Sequence, residues 1–194
     1  MTDTEKAKML RGDPYIAGDE ELVAERRRAR ELLYRLNVEM ALSPPGDYAD
    51  LLHELLPNAQ PPIWIQPPFY CDYGAHIYLG ASVFLNLNCV ILDCARVTIG
   101  ARTQIGPNVQ IYAADHPLGA TARASALELA RPVSIGEDCW IGGNVVICPG
   151  VTIGDRCVIG AGAVVTKDVP NDRLAAGNPA RVIRAIDPGG PRTT

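Results

Sequence analysis

IGEDCWIGGNVVICPGVTIGDRCVIGAGAVVTKDV, residues 135–169, returns a branched apolar side chain at every sixth position. The ladder runs Ile135, Ile141, Ile147, Ile153, Ile159, Val165, and four of the six are followed by glycine: Gly136, Gly142, Gly154 and Gly160. A second ladder lies four residues behind, Cys139, Val145, Val151, Cys157, Ala163, Val169, all small or branched. A helix would repeat every 3.6 residues and a plain strand every 2. A period of six fits a coil of three short flat faces, one hexapeptide per face, with each residue stacking on the one eighteen places on. The branched residue of each hexapeptide points into the prism and the small one shares that crowded interior. Glycine suits the sharp turns because it tolerates dihedrals that other residues avoid.

Upstream, the same rungs recur at Leu79, Leu85 and Ile91, then, after two extra residues, at Ile99, Ile105 and Ile111. The interval 113–132 breaks the pattern; it is polar and Ala-rich and is expected to be a loop extruded from one corner. Loops of that length within a compact domain are usually functional or disordered. The solenoid should therefore span 63–186, closing with a short segment near Val182 to Ile186. Residues 1–62 form a helical cap: a loose lead-in to Gly18, a helix from Asp19 to Asn37, and a short helix from Asp47 to Leu56. Asp19 supplies the N-cap, and Leu22, Ala29, Leu32, Leu33 and Leu36 the apolar stripe. The cluster Arg26-Arg27-Arg28 with Arg30 reads first as a solvated face, with an anion site as the sharper alternative. The Pro/Gly-rich 187–194 is expected to be a disordered tail. The fold class is mainly β.

Apolar residues make up 47% of the 194, which one solenoid core can absorb. The formal charge of -4 argues against a nucleic-acid surface and gives no reason for an anionic membrane to attract the chain. No window reaches the roughly 20 apolar residues of a membrane span. The opening MTDTEKAKML lacks a signal-peptide pattern, so the expected location is cytoplasmic. The six cysteines, Cys71, Cys89, Cys94, Cys139, Cys148 and Cys157, have no metal-finger spacing. Cys139 and Cys157 should stack on adjacent rungs about 4.8 Å apart, within disulfide reach, yet a reducing compartment argues for free thiols.

The apolar interior can only be a scaffold, so chemistry belongs on outer faces and loops. His53, His76 and His116 are not clustered as a zinc site requires, and no metal is expected. His53, on the second helix, reads as a surface or cap residue. No nucleophile elbow, P-loop or dinucleotide fingerprint is present. His116 stands in Asp115-His116-Pro117, where the ladder gives way to the loop. It reads equally as a turn residue and as a base at a loop mouth, an imidazole being able to take up and return a proton near neutrality.

Cys71-Asp72-Tyr73-Gly74, Asn86-Leu87-Asn88-Cys89, Asp115-His116-Pro117, Trp140-Ile141-Gly142-Gly143, Val164 to Pro170 and Gly177-Asn178-Pro179-Ala180-Arg181 occur in this order along the chain. With these motifs the chain resembles the hexapeptide-repeat acyltransferases, in the branch of maltose, galactoside and nodulation-factor O-acetyltransferases. The resemblance runs from Glu5 to Arg184. It implies a left-handed parallel β-helix, a homotrimer with active sites in clefts between subunits, acetyl-CoA as cosubstrate and a small-molecule hydroxyl acceptor. It implies His116 as general base, Asn86 beside it on the acceptor or transition state, and Asp72 and Asp93 on the acceptor side. Trp140, Gly143, Ala161, Thr166, Lys167, Arg181 and Arg184 match coenzyme positions. Read without the resemblance, Thr166 and Lys167 simply end a coil, Asn86 is a turn residue, and Trp140 points outward toward some partner.

Three departures fall on the acceptor side: Tyr70 where relatives often carry a basic residue, Ala17 where many carry an acid, and Cys94 where galactoside-type enzymes have a second acid. A plain maltose or galactoside assignment therefore does not follow. An amino sugar or hydroxylated antibiotic is the alternative acceptor, and a non-catalytic trimeric scaffold the alternative of a different class.

Overall fold

The computed structural model describes residues 3–187 and 189. Its body is a parallel β-helix of three sheets. The first face stacks Asn58–Ala59, Ile77–Leu79, Val97–Ile99, Val133–Ile135 and Thr152–Ile153. The second stacks Trp64–Ile65, Phe84–Leu85, Gln104–Ile105, Trp140–Ile141, Val158–Ile159 and Arg173–Ala176. The third stacks Phe69–Cys71, Cys89–Leu92, Gln110–Tyr112, Val146–Ile147 and Val164–Val165. The register is the one the period demands: Ile135 pairs with Ile153, Ile141 with Ile159, and Ile147 with Val165. Both ladders point inward, and none of their members is more than 5% exposed.

Glycine plays a different part from the one expected. The glycines after the rungs do not supply the left-handed turns; those fall on Ser82, Asn88, Arg102, Asn108, Asp138, Asn144, Arg156 and Asp172, with φ between 55° and 63°, and on glycines away from the rungs such as Gly162. The rung glycines are needed because successive coils touch there. A β-carbon built on Gly142 would lie 2.6 Å from the Ala161 backbone nitrogen, too close for any side chain. Asn and Asp reach the left-handed region with help from their own side chains, so the rung glycines serve close approach instead.

Of the stacked corners between the third face and the first, the first three depart from the hexapeptide, whereas Ile147 to Ile153 keeps it. Cys71 to Leu79 and Ile91 to Ile99 each span eight residues, and the 113–132 insertion leaves from the same edge. That insertion is an arm with structure of its own. Ala114–Asp115 pairs antiparallel with Leu127–Ala130, and a short helix, Ala120–Ala124, forms its tip.

The lead-in is ordered, contrary to the expected loose segment. Thr4 caps a helix, Glu5–Arg11, which Gly12 ends in a left-handed conformation. Tyr15–Ile16 then adds a strand to the outer side of the arm, pairing Tyr15 with Glu128 and Ile16 with Leu127. A seven-residue helix has little stability alone; fully buried Met9 and Tyr15 fasten this one to the body. The longer helix runs Glu20–Tyr34, capped by Asp19, and winds into a π turn over Arg35–Glu39. A 3₁₀ turn and Ala49–Leu55 make the second. The first rung begins at Asn58–Ala59, a few residues before the expected boundary. The expected tail lies outside the described residues apart from Asp187 and Gly189.

Candidate active site

The non-hexapeptide edge gathers most of the polar chemistry. Asp93 is fully buried at its second corner. Its carboxylate accepts the backbone N–H groups of Asp72 (3.1 Å), Tyr73 (2.9 Å) and His76 (3.2 Å), while His76 Nδ1 donates to the Asp93 carbonyl at 2.7 Å. The expectation that Asp93 touches an acceptor is therefore corrected. Both its oxygens face the protein, and it holds the Asp72 corner from beneath.

Asp72 is half-buried on that corner. Burial lifts its carboxyl above the ordinary range, opposed by the Cys94 thiol 3.5 Å from Oδ2 and by the field of Arg26. Arg26 donates to the Tyr73 hydroxyl and the Ala17 carbonyl, both at 2.6 Å. Tyr15 donates to Glu128 on the arm at 3.0 Å. Neither Tyr15 nor Glu128 was evident as a site residue from sequence. Arg27 and Arg28 pair at the surface with Glu31 and Glu54, whereas Arg26 turns to the Asp72 corner and the charge of Arg30 also acts on Asp72.

His116 stands on the arm, exposed, one residue past the strand Ala114–Asp115. Its backbone N–H donates to Asp115 Oδ1 at 2.9 Å, and its ring makes no hydrogen bond or ion pair among the described residues. Asn86 lies elsewhere, at the end of Phe84–Leu85 on the edge between the second and third faces. Its Oδ1 accepts the Leu87 N–H at 2.7 Å, leaving the amide NH₂ to donate outward. One chain thus places Asn86 and His116 on different edges and does not bring them together.

The coenzyme candidates are strung along the last coils. Trp140 projects from the second face, 44% exposed. Gly143 and Ala161 follow it on the Asn86 edge, with the Gly143 carbonyl accepting from Gly162 at 2.9 Å. Thr166 and Lys167 are exposed at the far margin of the third face, just after Val164–Val165. Arg181 and Arg184 lie on Arg181–Ala185, an antiparallel strand that extends the second sheet. This spread suits an extended ligand with phosphates at one end. An apolar hollow of about 320 Å³ by His53, Leu56, Pro62 and Trp64 contains none of these residues. No group of three His, Cys, Asp or Glu side chains among the described residues could hold a metal. No described helix is long and apolar enough to cross a membrane.

Comparison with known proteins agrees with the fold. The bacterial transferase hexapeptide (six repeats) family matches residues 132–167, and the maltose acetyltransferase hexapeptide capping motif matches 8–59. Nodulation protein L of Rhizobium meliloti (strain 1021) is 51% identical over 186 residues, covering 94% of this chain and 99% of the relative. The crystal structure of a maltose O-acetyltransferase from Clostridium difficile 630 superposes with a TM-score of 0.92 at 44% identity, over 95% and 98% of the two chains. A hexapeptide-repeat acetyltransferase from Vibrio cholerae, complexed with acetyl coenzyme A, gives 0.87 at 39% identity, over 95% and 99%. These relatives share the stacked-hexapeptide fold and are acetyltransferases by their own descriptions. The chain belongs to the hexapeptide-repeat acetyltransferases, the group that carries the maltose acetyltransferase cap.

Proposed function

We propose that this chain is an acetyl-CoA-dependent O-acetyltransferase acting on a hydroxyl of a sugar or similar small molecule, with His116 as general base. The observation that carries the reading is the placement of an exposed imidazole at the root of the arm, on the same edge as half-buried Asp72. The acetyl-CoA complex of the Vibrio relative supports the cosubstrate.

Acetyl-CoA supplies the acyl group and a thiol leaving group. His116 takes the acceptor hydroxyl proton as that oxygen attacks the carbonyl, then returns it to the departing sulfur. The Asn86 amide steadies the acceptor oxygen or the charge that develops nearby, and the Gly143 N–H serves as an oxyanion donor. Trp140, Ala161 and Thr166 line the coenzyme path, and Lys167, Arg181 and Arg184 present cations to its phosphates. Asp72 orients the acceptor.

The assembly is a homotrimer in this reading, because a neighbour must bring an Asn86 edge to each His116 arm. Outward side chains support it. The first face carries Asn58, Tyr78, Thr98, Ser134 and Thr152, whereas the second carries Trp64, Phe84, Gln104, Trp140, Val158 and Leu174 and the third Tyr70, Val90, Gln110, Val146 and Val164. Two faces that are apolar apart from one glutamine each, Gln104 and Gln110, meet at the Asn86 edge and suit burial against copies. Six free cysteines, five of them buried, suit a reducing, cytoplasmic location.

Thiol release from acetyl-CoA with a panel of sugars tests the reading, and product mass spectrometry separates O- from N-acetylation. His116→Ala should keep its fold and lose about 10²–10⁴-fold in rate. A variant that keeps full activity rules out the assigned base.

A further inference from the structure

We infer that Asp115 and Arg131 are positioning residues for His116, forming a pin that ties its backbone to the body of the solenoid. The inference rests on the reading of His116 as the base. Pairing in the arm consists of Ala114 with Ala130 and Asp115 with Leu129, and ends there. The next N–H belongs to His116, and Pro117 after it has none to offer. The His116 N–H is therefore without a ladder partner, and Asp115 Oδ1 takes it at 2.9 Å.

The second oxygen of Asp115 accepts from Arg131 Nη2 at 2.6 Å. Arg131 is anchored in turn. Its own N–H donates to the Ala113 carbonyl at 2.8 Å, and its aliphatic stem lies over Gly150 of the next coil, where a built β-carbon would stand 3.6 Å from Arg131 Cβ and Cδ. The line of contacts runs from coil to guanidinium to carboxylate to the backbone of His116. The two side chains are 57% and 29% exposed, and ion pairs that open contribute little to global stability. A pair in that position has its effect locally, on the histidine. On the outer side, the strand Tyr15–Ile16 closes the arm and leaves the root as the place where His116 can shift.

The test compares Asp115→Ala, Asp115→Asn, Arg131→Met and His116→Ala in thiol release from acetyl-CoA, using the best acceptor among maltose, a thiogalactoside and N-acetylglucosamine. Arg131→Met keeps the stem over Gly150 and removes the guanidinium. Asp115→Ala and Arg131→Met should lower kcat about tenfold to a hundredfold, the scale of a small misplacement. The KM for acetyl-CoA and the thermal midpoint should not move. Asp115→Asn keeps an oxygen for the His116 N–H and should fall between wild type and Asp115→Ala. The double variant should be no slower than the worse single one, since both break the same pin. Wild-type kcat in both Asp115→Ala and Arg131→Met, beside an inactive His116→Ala, overturns the pin and leaves the base intact. A KM rise with kcat unchanged also overturns it, by assigning the pair to substrate binding. An active His116→Ala, or no thiol release by the unaltered protein, rejects the functional reading itself.

Discussion

The Asp93 carboxylate lies beneath the backbone of Tyr73 and accepts its N–H at 2.9 Å from the next coil. Two further backbone donors, of Asp72 and His76, converge on the same group. Burial pushes this carboxyl above its usual range, while the Tyr73 N–H and the nearby His76 oppose the shift. The corner needs two accepting oxygens and tolerates no donor among them. Asp93→Asn turns an NH₂ toward one of the N–H groups and leaves a buried donor unpaired, costing about 1–3 kcal/mol. The urea midpoint should fall accordingly. Because Asp72 stands on that corner, acceptor KM should rise while the KM for acetyl-CoA stays put. An Asp93→Asn protein matching wild type in both would remove Asp93 from its assigned place.

The rung glycines give a second expectation. Gly142→Ala places a methyl 2.6 Å from the Ala161 nitrogen and 2.9 Å from the Ile159 carbonyl, backbone that the sheet holds in place. Overpacking of that kind costs about 1–3 kcal/mol. Gly119→Ala, on the arm, meets nothing within 4 Å and should leave stability unchanged. Thermal midpoints of the two variants decide the matter, and equal midpoints would show that coil contact is not the reason for the rung glycines.

Along one edge the left-handed corner residues alternate in charge: Arg102 pairs with Asp138 and Arg156 with Asp172. The guanidinium of Arg102 holds the Asp138 carboxyl below the usual carboxylate range, and Arg156 does the same for Asp172. A depressed acid contributes stability that is present above the unfolded value, about pH 3.9, and is lost as pH falls through the folded one. Arg102→Gln and Arg156→Gln should therefore lower the melting temperature modestly at neutral pH. That gap from wild type should close in acid, below the titration of the folded carboxylates. The pairs are open to solvent, so salt should also shrink the effect. A gap that persists unchanged in acid and salt would assign the loss to packing of the arginine stems.

The coil was legible because its information is local and repeated: Ile135, Ile141 and Ile147 each report the same inward direction. The site was legible only in part. Asp115-His116-Pro117 and Asp72 stand out as sequence, but the Tyr15–Glu128 contact joins residues 113 apart and has no periodic signal. It arises because the arm leaves the edge where the corners of Asp72 and Asp93 already stack. The eight-residue steps from Cys71 to Leu79 and from Ile91 to Ile99, with the break at 113–132, are the trace of that edge in the sequence. The expected contact of Asp93 with an acceptor failed for a related reason, since spacing places a residue on a corner without saying which way its carboxylate turns.

The cysteines offer a test of the solenoid's closure. Burial raises the Cys94 thiol to about 12 and Cys89 to about 11, so both stay protonated and unreactive near neutrality. Cys157 differs: the adjacent Cys139 lowers its thiol, yet its side chain has no exposed surface. Lack of access protects it. Cys148, half-buried at the corner after Val146–Ile147, is the most accessible of the six, the other five being buried. An aromatic disulfide reagent at pH 8 should therefore titrate one thiol in the native protein, slowly because burial also raises Cys148, and six in guanidinium. Cys148→Ser should bring the native count to zero. A second thiol reacting in the folded state, with Cys157 identified by peptide mapping, would mean that the last coils open at equilibrium and that the ladder from Ile135 to Val169 is less closed than its register implies.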